Sequence, residues 1–186
     1  TILPTRQTSL VVDPPDGRVP VRPEAEARRD YALARSTEEP EFMSVWDRCI
    51  SRGVPGWVIP AGYNNAYQIV QTKDFIVIHS EMIHDARVIP LDGSAPLPST
   101  VRLWDGDSRG RWEGNTLVVD VVHFNDRTWF DRAGNFHSDA LHVVERYTPA
   151  SPYHLLYDVT IEDPKVFARP WKMSMPLYRR QERNSE

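Results

Sequence analysis

The chain is poor in several features that would assign its class at once. It has one cysteine, Cys49, among 186 residues, which excludes an internal disulfide framework and a cysteine-built zinc site. The redox compartment stays open. No apolar run approaches the roughly 20 residues a helix needs to cross a bilayer, so the chain reads as soluble, without membrane insertion. Basic excess is absent too: 22 Lys and Arg stand against 26 Asp and Glu, a net charge of -4, and no basic surface invites nucleic acid or an anionic membrane. The sequence also lacks a P-loop, a dinucleotide fingerprint, a nucleophile elbow and Cys/His zinc spacing. Cofactor-dependent hydride or phosphoryl transfer is therefore disfavoured, and no cofactor is expected. The first residue is Thr1, with no Met and no signal-like segment, which reads as the processed or trimmed remainder of a longer precursor.

What is present points to β-structure. Sixteen prolines against nine glycines favour edges, corners and extended connections over a helical bundle. The length suits one well-buried domain with an appended arm. Residues 1–56 read as that arm: a short β-like run at Leu10, Val11 and Val12, a surface helix over 23–35, and a second helix over 41–51. In the second, Phe42, Val45, Trp46, Cys49 and Ile50 recur at helical spacing ahead of Gly53. From Trp57 the pattern changes to short strands divided by Gly, Pro, Asn and Asp. Strands are predicted over 66–71, 75–80, 86–91, 101–104, 111–123, 141–147, 154–162 and 170–178. Strand following strand without intervening helices indicates an antiparallel meander over 57–186, either an up-and-down barrel or a strongly curved sheet.

The segment 74–93, DFIVIHSEMIHDARVIPLDG, carries more ionisable groups than an ordinary core strand. An uninterrupted strand would place Phe75, Val77, His79, Glu81, Ile83, Asp85 and Arg87 on one face, and Ile76, Ile78, Ser80, Met82, His84, Ala86 and Val88 on the other. Unpaired buried charge costs several kcal/mol, so these groups face water or share a polar cavity. Within such a cavity His84 and Asp85 are the proton-transfer candidates, Glu81 an orienting or alternate base, and Arg87 the stabiliser of an anion. His84 and Asp85 reach one substrate only where a bulge or strand end turns them together. The bland alternative is a solvated strand end with salt-bridged charges.

Other polar groups are candidates for contacting substrate. Tyr63, Asn65 and Tyr67 stand at the entrance to the first strand of the meander, and an Asn-Asn turn explains part of that cluster. His123 and His142 lie on later strands, where a lone histidine is more often structural. Trp112 is one of six tryptophans able to stack on a flat or sugar-like ligand, although core packing is their ordinary fate. Asp105, Asp107, Arg109 and Arg111 read first as a loop ion-pair network. A metal alternative uses His79 and Glu81, which share a face, with a histidine from a neighbouring strand. His84 falls on the opposite face.

The strings YNNAYQIVQT, EMIHDARVIPLDG, GDSRGRWEGNTLVVD and LHVVERYT, with RQTSLVVDPPDGRVP upstream and VTIEDPKVFARPW downstream, resemble those of a large family of bacterial proteins of unassigned function, many of them exported. The similarity covers nearly the whole chain. It implies a lipocalin-like barrel and export, and it implies no activity. Two departures stand out: no leader is evident, and the chain stops soon after Tyr178, where the family's members continue.

The residues themselves lead to a cofactor-independent lyase or isomerase. It would act by general acid/base catalysis on a small, partly hydrophobic, oxygenated molecule in the barrel cavity. A non-catalytic ligand-binding barrel and a structural module with an internal salt-bridge network are the rivals. An exposed edge strand would permit a homodimer without requiring one.

Overall fold

The computed structural model describes residues 9–60, 62, 66–131 and 133–180. Its strands form where apolar side chains recur at every second position. In β7 (His142–Ser151), Val143, Glu145 and Tyr147 are buried while the residues between them are half-exposed, and β8 (His154–Glu162) repeats this with Tyr157, Val159 and Ile161. These two pair with β6 (Thr116–Val122), β5 (Asp107–Glu113), β9 (Trp171–Tyr178) and the short β1 (Val11–Asp13) in one antiparallel sheet of order β1-β9-β8-β7-β6-β5. The hairpin read at Gly114-Asn115 joins β5 to β6, with Gly114 at φ +62°.

A second antiparallel sheet contains β2 (Tyr67–Gln71), β3 (Phe75–Ser80) and β4 (Ala86–Pro90) in that order. Ile76, Ile78 and Ile89 are buried in the same apolar core as Leu117, Val119 and Val121 of β6. Full burial of each such side chain contributes roughly 1.5–3 kcal/mol, enough to dock the small sheet firmly. It meets the large one at Gly110 of β5, where an added Cβ would lie 2.6 Å from Leu91 Cδ2 and 2.9 Å from Ile89 Cγ2.

The mainly antiparallel β-architecture agrees with the sequence reading, but the closed barrel does not form. Among the described residues β1 and β5 end the large sheet without pairing, and the other three strands form a separate sheet. The segment 74–93 also departs from a single strand. It folds at Ser80, so Arg87 pairs with Ile78 and Ile89 with Ile76, and Arg87 shares the inner face of Ile76, Ile78 and Ser80 instead of the outer face of Val77 and His79.

The arm lies across the far edge. Val11 pairs with Met173 of β9, Val21 bridges Phe167, and Arg169 Nη2 reaches Asp13 Oδ1 at 2.9 Å. The surface helix is found as expected, α1 (Pro23–Arg35), with Pro at its start, Glu24 and Glu26 in its first turn and Ala25 its buried residue. Arg28 lies over the Phe136 ring at 4.4 Å and holds it to the body.

The second helix is not formed. Only a 3₁₀ turn, Pro40–Phe42, and a run of turns occupy this stretch. Ser44 Oγ bonds Asp47 Oδ2 at 2.7 Å, a local side-chain bond that competes with helix. Cys49 then takes φ +55°, which breaks any right-handed run.

Candidate functional site

Between β4, the start of β5 and the loop at Cys49 to Ser51 opens a cleft of about 660 Å3. Its apolar wall includes Ile83, Val88, Leu103 and Trp104, and its polar groups are Ser51, Asp85, Arg87, Asp105 and Ser108. The β3–β4 turn forms one lip. Ser80 N–H donates to Asp85 O at 2.9 Å and closes it, with Ile83 at φ +68° and His84 at φ +58°. For a β-branched residue this left-handed conformation is strained, on the order of 1–3 kcal/mol. The strained turn places Ile83 and Asp85 at the cleft.

Asp105 is held from the opposite side. The Ser51 hydroxyl donates to Asp105 Oδ1 at 2.6 Å, while Ser51 Oγ accepts from Trp57 Nε1 at 2.9 Å and from Gly53 N–H at 3.2 Å. Burial pushes the Asp105 carboxyl above its ordinary value; the Ser51 hydrogen bond, the next largest effect, opposes that push, the Asp85 charge adds to it, and Arg87 and Trp57 oppose it more weakly. Gly106, next in sequence, sits at φ +69° where a Cβ would meet Val121 Cγ1 at 2.7 Å. Only glycine allows the chain to pass here from the cleft into β5.

Behind the cleft lies a buried charge network. Arg87 Nε donates to Ser108 Oγ at 2.8 Å, and Arg87 Nη2 lies 2.5 Å from Glu145 Oε2. That contact is an ion pair without hydrogen-bond alignment. Glu145, 0 % exposed, accepts at Oε1 from Tyr147 Oη at 2.8 Å and Tyr157 Oη at 2.9 Å. Burial is the largest single effect on Arg87 and would lower its pKa, but the Glu145 carboxylate together with Tyr147 and Tyr157 more than offsets it and holds the guanidinium protonated. Burial first, and the Glu145 charge second, keep both tyrosines well above their ordinary range and neutral. Charge on Glu145 is therefore answered by one cation and two hydroxyl donors.

No family model matches the chain, and comparison with curated proteins and with solved structures found no match.

Of the residues singled out from sequence, the fold brings Asp85 and Arg87 together at the cleft. His84 is exposed beyond it, its ring 6.4 Å from that of His79 and edge-on. Glu81 is exposed and its Oε2 accepts from Ala66 N–H at 3.3 Å. His123, at φ +60°, is half-buried with Nδ1 unpartnered among the described residues. His142 lies 3.2 Å from Asp120 Oδ1 on the opposite face of β7 from Glu145. Trp112 is exposed on β5, and Tyr67 donates through its hydroxyl to the carbonyl of Trp57. Tyr63 and Asn65 lie outside the described residues. Among the described residues no three His, Cys, Asp or Glu side chains gather as a metal would require, so His79 and Glu81 gain no third partner there.

Sequence reasoning missed Asp105, Ser51 and Glu145 as parts of one site. Of the loop ion-pair network it read, Arg109 does pair with Asp107 at 2.5 Å and Arg111 with Glu113 at 2.9 Å. Asp105 alone turns away into the cleft. Glu145 had a signal: it occupies the same alternation phase as Val143 and Tyr147, a charge where apolar residues belong.

Proposed function

We propose that the cleft is the active site of a lyase or isomerase that moves a proton on a small, partly hydrophobic, oxygenated molecule without a cofactor. The observation that carries this reading is Asp105, a half-buried carboxyl raised in pKa by desolvation, lining the same apolar-walled cleft as the second carboxylate Asp85. A carboxyl whose pKa its surroundings raise is suited to hold and pass on a proton. Asp105 is the proton carrier, Asp85 the partner charge, and Ser51 orients Asp105. Arg87 keeps positive potential near the reacting oxygen, and its pairing to Glu145 and Ser108 fixes it in place. His84 and Glu81, outside the cleft, take no part in this version of the chemistry.

Kinship with the exported bacterial family of lipocalin-like barrels is a proposal on the same footing. Its support is that two of the strings carrying the resemblance, EMIHDARVIPLDG and GDSRGRWEGNTLVVD, supply Ile83, Asp85, Arg87, Gly106 and Ser108 to the cleft.

The test is solvent exchange. Protein in D2O is incubated with a panel of small cyclic ketones and β-hydroxy acids, and deuterium incorporation is read by mass spectrometry. Asp105→Asn is expected to reduce exchange at least about 100-fold with ligand affinity retained. A rate that falls as pH drops through a value above 3.8, the ordinary Asp value, identifies Asp105 as the base. Exchange unaffected by Asp105→Asn and Asp85→Asn overturns the enzyme reading, and loss of binding with exchange never seen favours a ligand-holding protein.

A further inference from the structure

Trp104 belongs to two clefts at once. Its indole, 40 % exposed, forms part of the apolar wall described above and also borders a second cleft of about 420 Å3, within the roughly 300–1,000 Å3 of small-molecule sites. The second cleft has a different chemistry. Apart from Trp104 it is lined by Arg102, Asn125, Asp126, Arg127 and Asp139, two cations and two carboxylates with an amide between them.

Part of this lining is already engaged. Arg102 Nη1 donates to the Asp139 carbonyl at 2.8 Å, and Lys165 Nζ donates to Asp139 Oδ1 at 2.6 Å. Asn125 Oδ1 accepts from the Arg127 backbone N–H at 3.2 Å, which leaves its amide donors unused. The Arg127 guanidinium and the Asp126 carboxylate make no hydrogen bond or ion pair among the described residues. The unused groups are thus donors and an acceptor together, beside an exposed aromatic face and with formal charges that cancel. A purely anionic ligand gains from Arg127 but meets the unpaired Asp126 carboxylate, since Asp139 is already held by Lys165 and Arg102. A purely apolar one leaves the ionic groups desolvated and unpaired. A ring bearing several hydroxyls satisfies the whole set, since each hydroxyl donates to a carboxylate and accepts from a guanidinium or amide while the ring's C–H face covers the indole.

We propose that this second cleft is a saccharide subsite with Trp104 as its platform. The ligand of the whole surface is then a glycoside-like molecule, its sugar over Trp104 in the second cleft and its less polar portion against Ile83, Val88 and Leu103 in the first. The subsite stands on its own lining; that the attached portion is the part transformed rests on the acid/base reading of the first cleft.

The experiment uses p-nitrophenyl glycosides of glucose, galactose, mannose, xylose and N-acetylglucosamine, with p-nitrophenol and p-nitrophenyl phosphate as controls, followed by saturation-transfer NMR and titration. At least one glycoside is expected to receive saturation at its sugar ring protons. Trp104→Ala should weaken it about tenfold, and Trp104→Phe, which keeps an aromatic face, by no more than about threefold. Arg127→Ala, at an exposed position, supplies an independent readout if the tryptophan variant does not fold, with an expected weakening of about fivefold. The subsite is overturned if no glycoside binds, if neither Trp104→Ala nor Arg127→Ala changes affinity, or if p-nitrophenyl phosphate binds more tightly than every glycoside. Absent glycoside binding alongside exchange that needs Asp105 sinks this inference alone. Glycoside binding with exchange indifferent to Asp105 sinks the acid/base reading alone and leaves the subsite standing.

Discussion

Glu145 lies in the apolar heart of the molecule with Arg87 at one of its carboxylate oxygens and the Tyr147 and Tyr157 hydroxyls at the other. Such a group binds its neighbours more by the penalty of losing them than by net attraction. Glu145→Ala strands Arg87 and is expected to destabilise the protein by about 3–5 kcal/mol in urea unfolding. The double variant Arg87→Met with Glu145→Leu should lose clearly less than the two single losses added together, which a double-mutant cycle reads directly. Asp105 gives the opposite sign. Its folded-state pKa is raised above the 3.8 of the unfolded chain, so no penalty exists below 3.8, and it grows to its full size once the pH passes the folded value. Asp105→Asn should therefore raise the urea midpoint at pH 7 and leave it nearly unchanged near pH 3. At this scale the sequence was readable in part. Asp85 and Arg87 were visible as charges in strand-like sequence, whereas Asp105 sits in a run of acids and arginines where nothing marks one member as turned inward.

Strands were more legible than their partners. The bounds read for β3 and β8 agree with the structure because alternation and turn residues act locally. The segment 41–51 misled for the same reason in reverse, since helical spacing of apolar residues is a local signal and the Ser44 to Asp47 bond and the left-handed Cys49 overrode it. The face assignment of 74–93 failed because the four residues after Ser80 reset the phase, putting Arg87 inside. Where β4 crosses β5, contact depends on the missing side chain of Gly110. Gly110→Ala forces Leu91 and Ile89 outward and is expected to cost about 1–3 kcal/mol. Because Arg87 and Ser108 lie on these same two strands, their 2.8 Å bond should loosen as well, seen as faster hydrogen exchange in β4 than in β8.

For the molecule as a whole, the order of strands along the chain is equally compatible with one closed ring and with two sheets, and turn chemistry does not say which edges meet. The structure keeps a six-stranded and a three-stranded sheet, with the cleft between their adjoining strands. The described residues include no helix long and apolar enough to cross a membrane. The arm is part of the larger sheet, since β1 covers the outer edge of β9. Deleting residues 1–17 would bare that edge, and exposed edges invite pairing with other chains. The shortened protein is expected to self-associate in light scattering and to melt lower, by about 2–4 °C for each kcal/mol lost.

The pairing of Val11 with Met173 also orders events in time. During translation the segment that will finish the sheet leaves the ribosome well before the strand it must meet. The nascent chain therefore carries an unmatched segment until β9 has emerged, and completion waits on the slowest kind of encounter, between positions far apart in the polymer. Until then the segment is open to any protease or chaperone that samples the newborn protein.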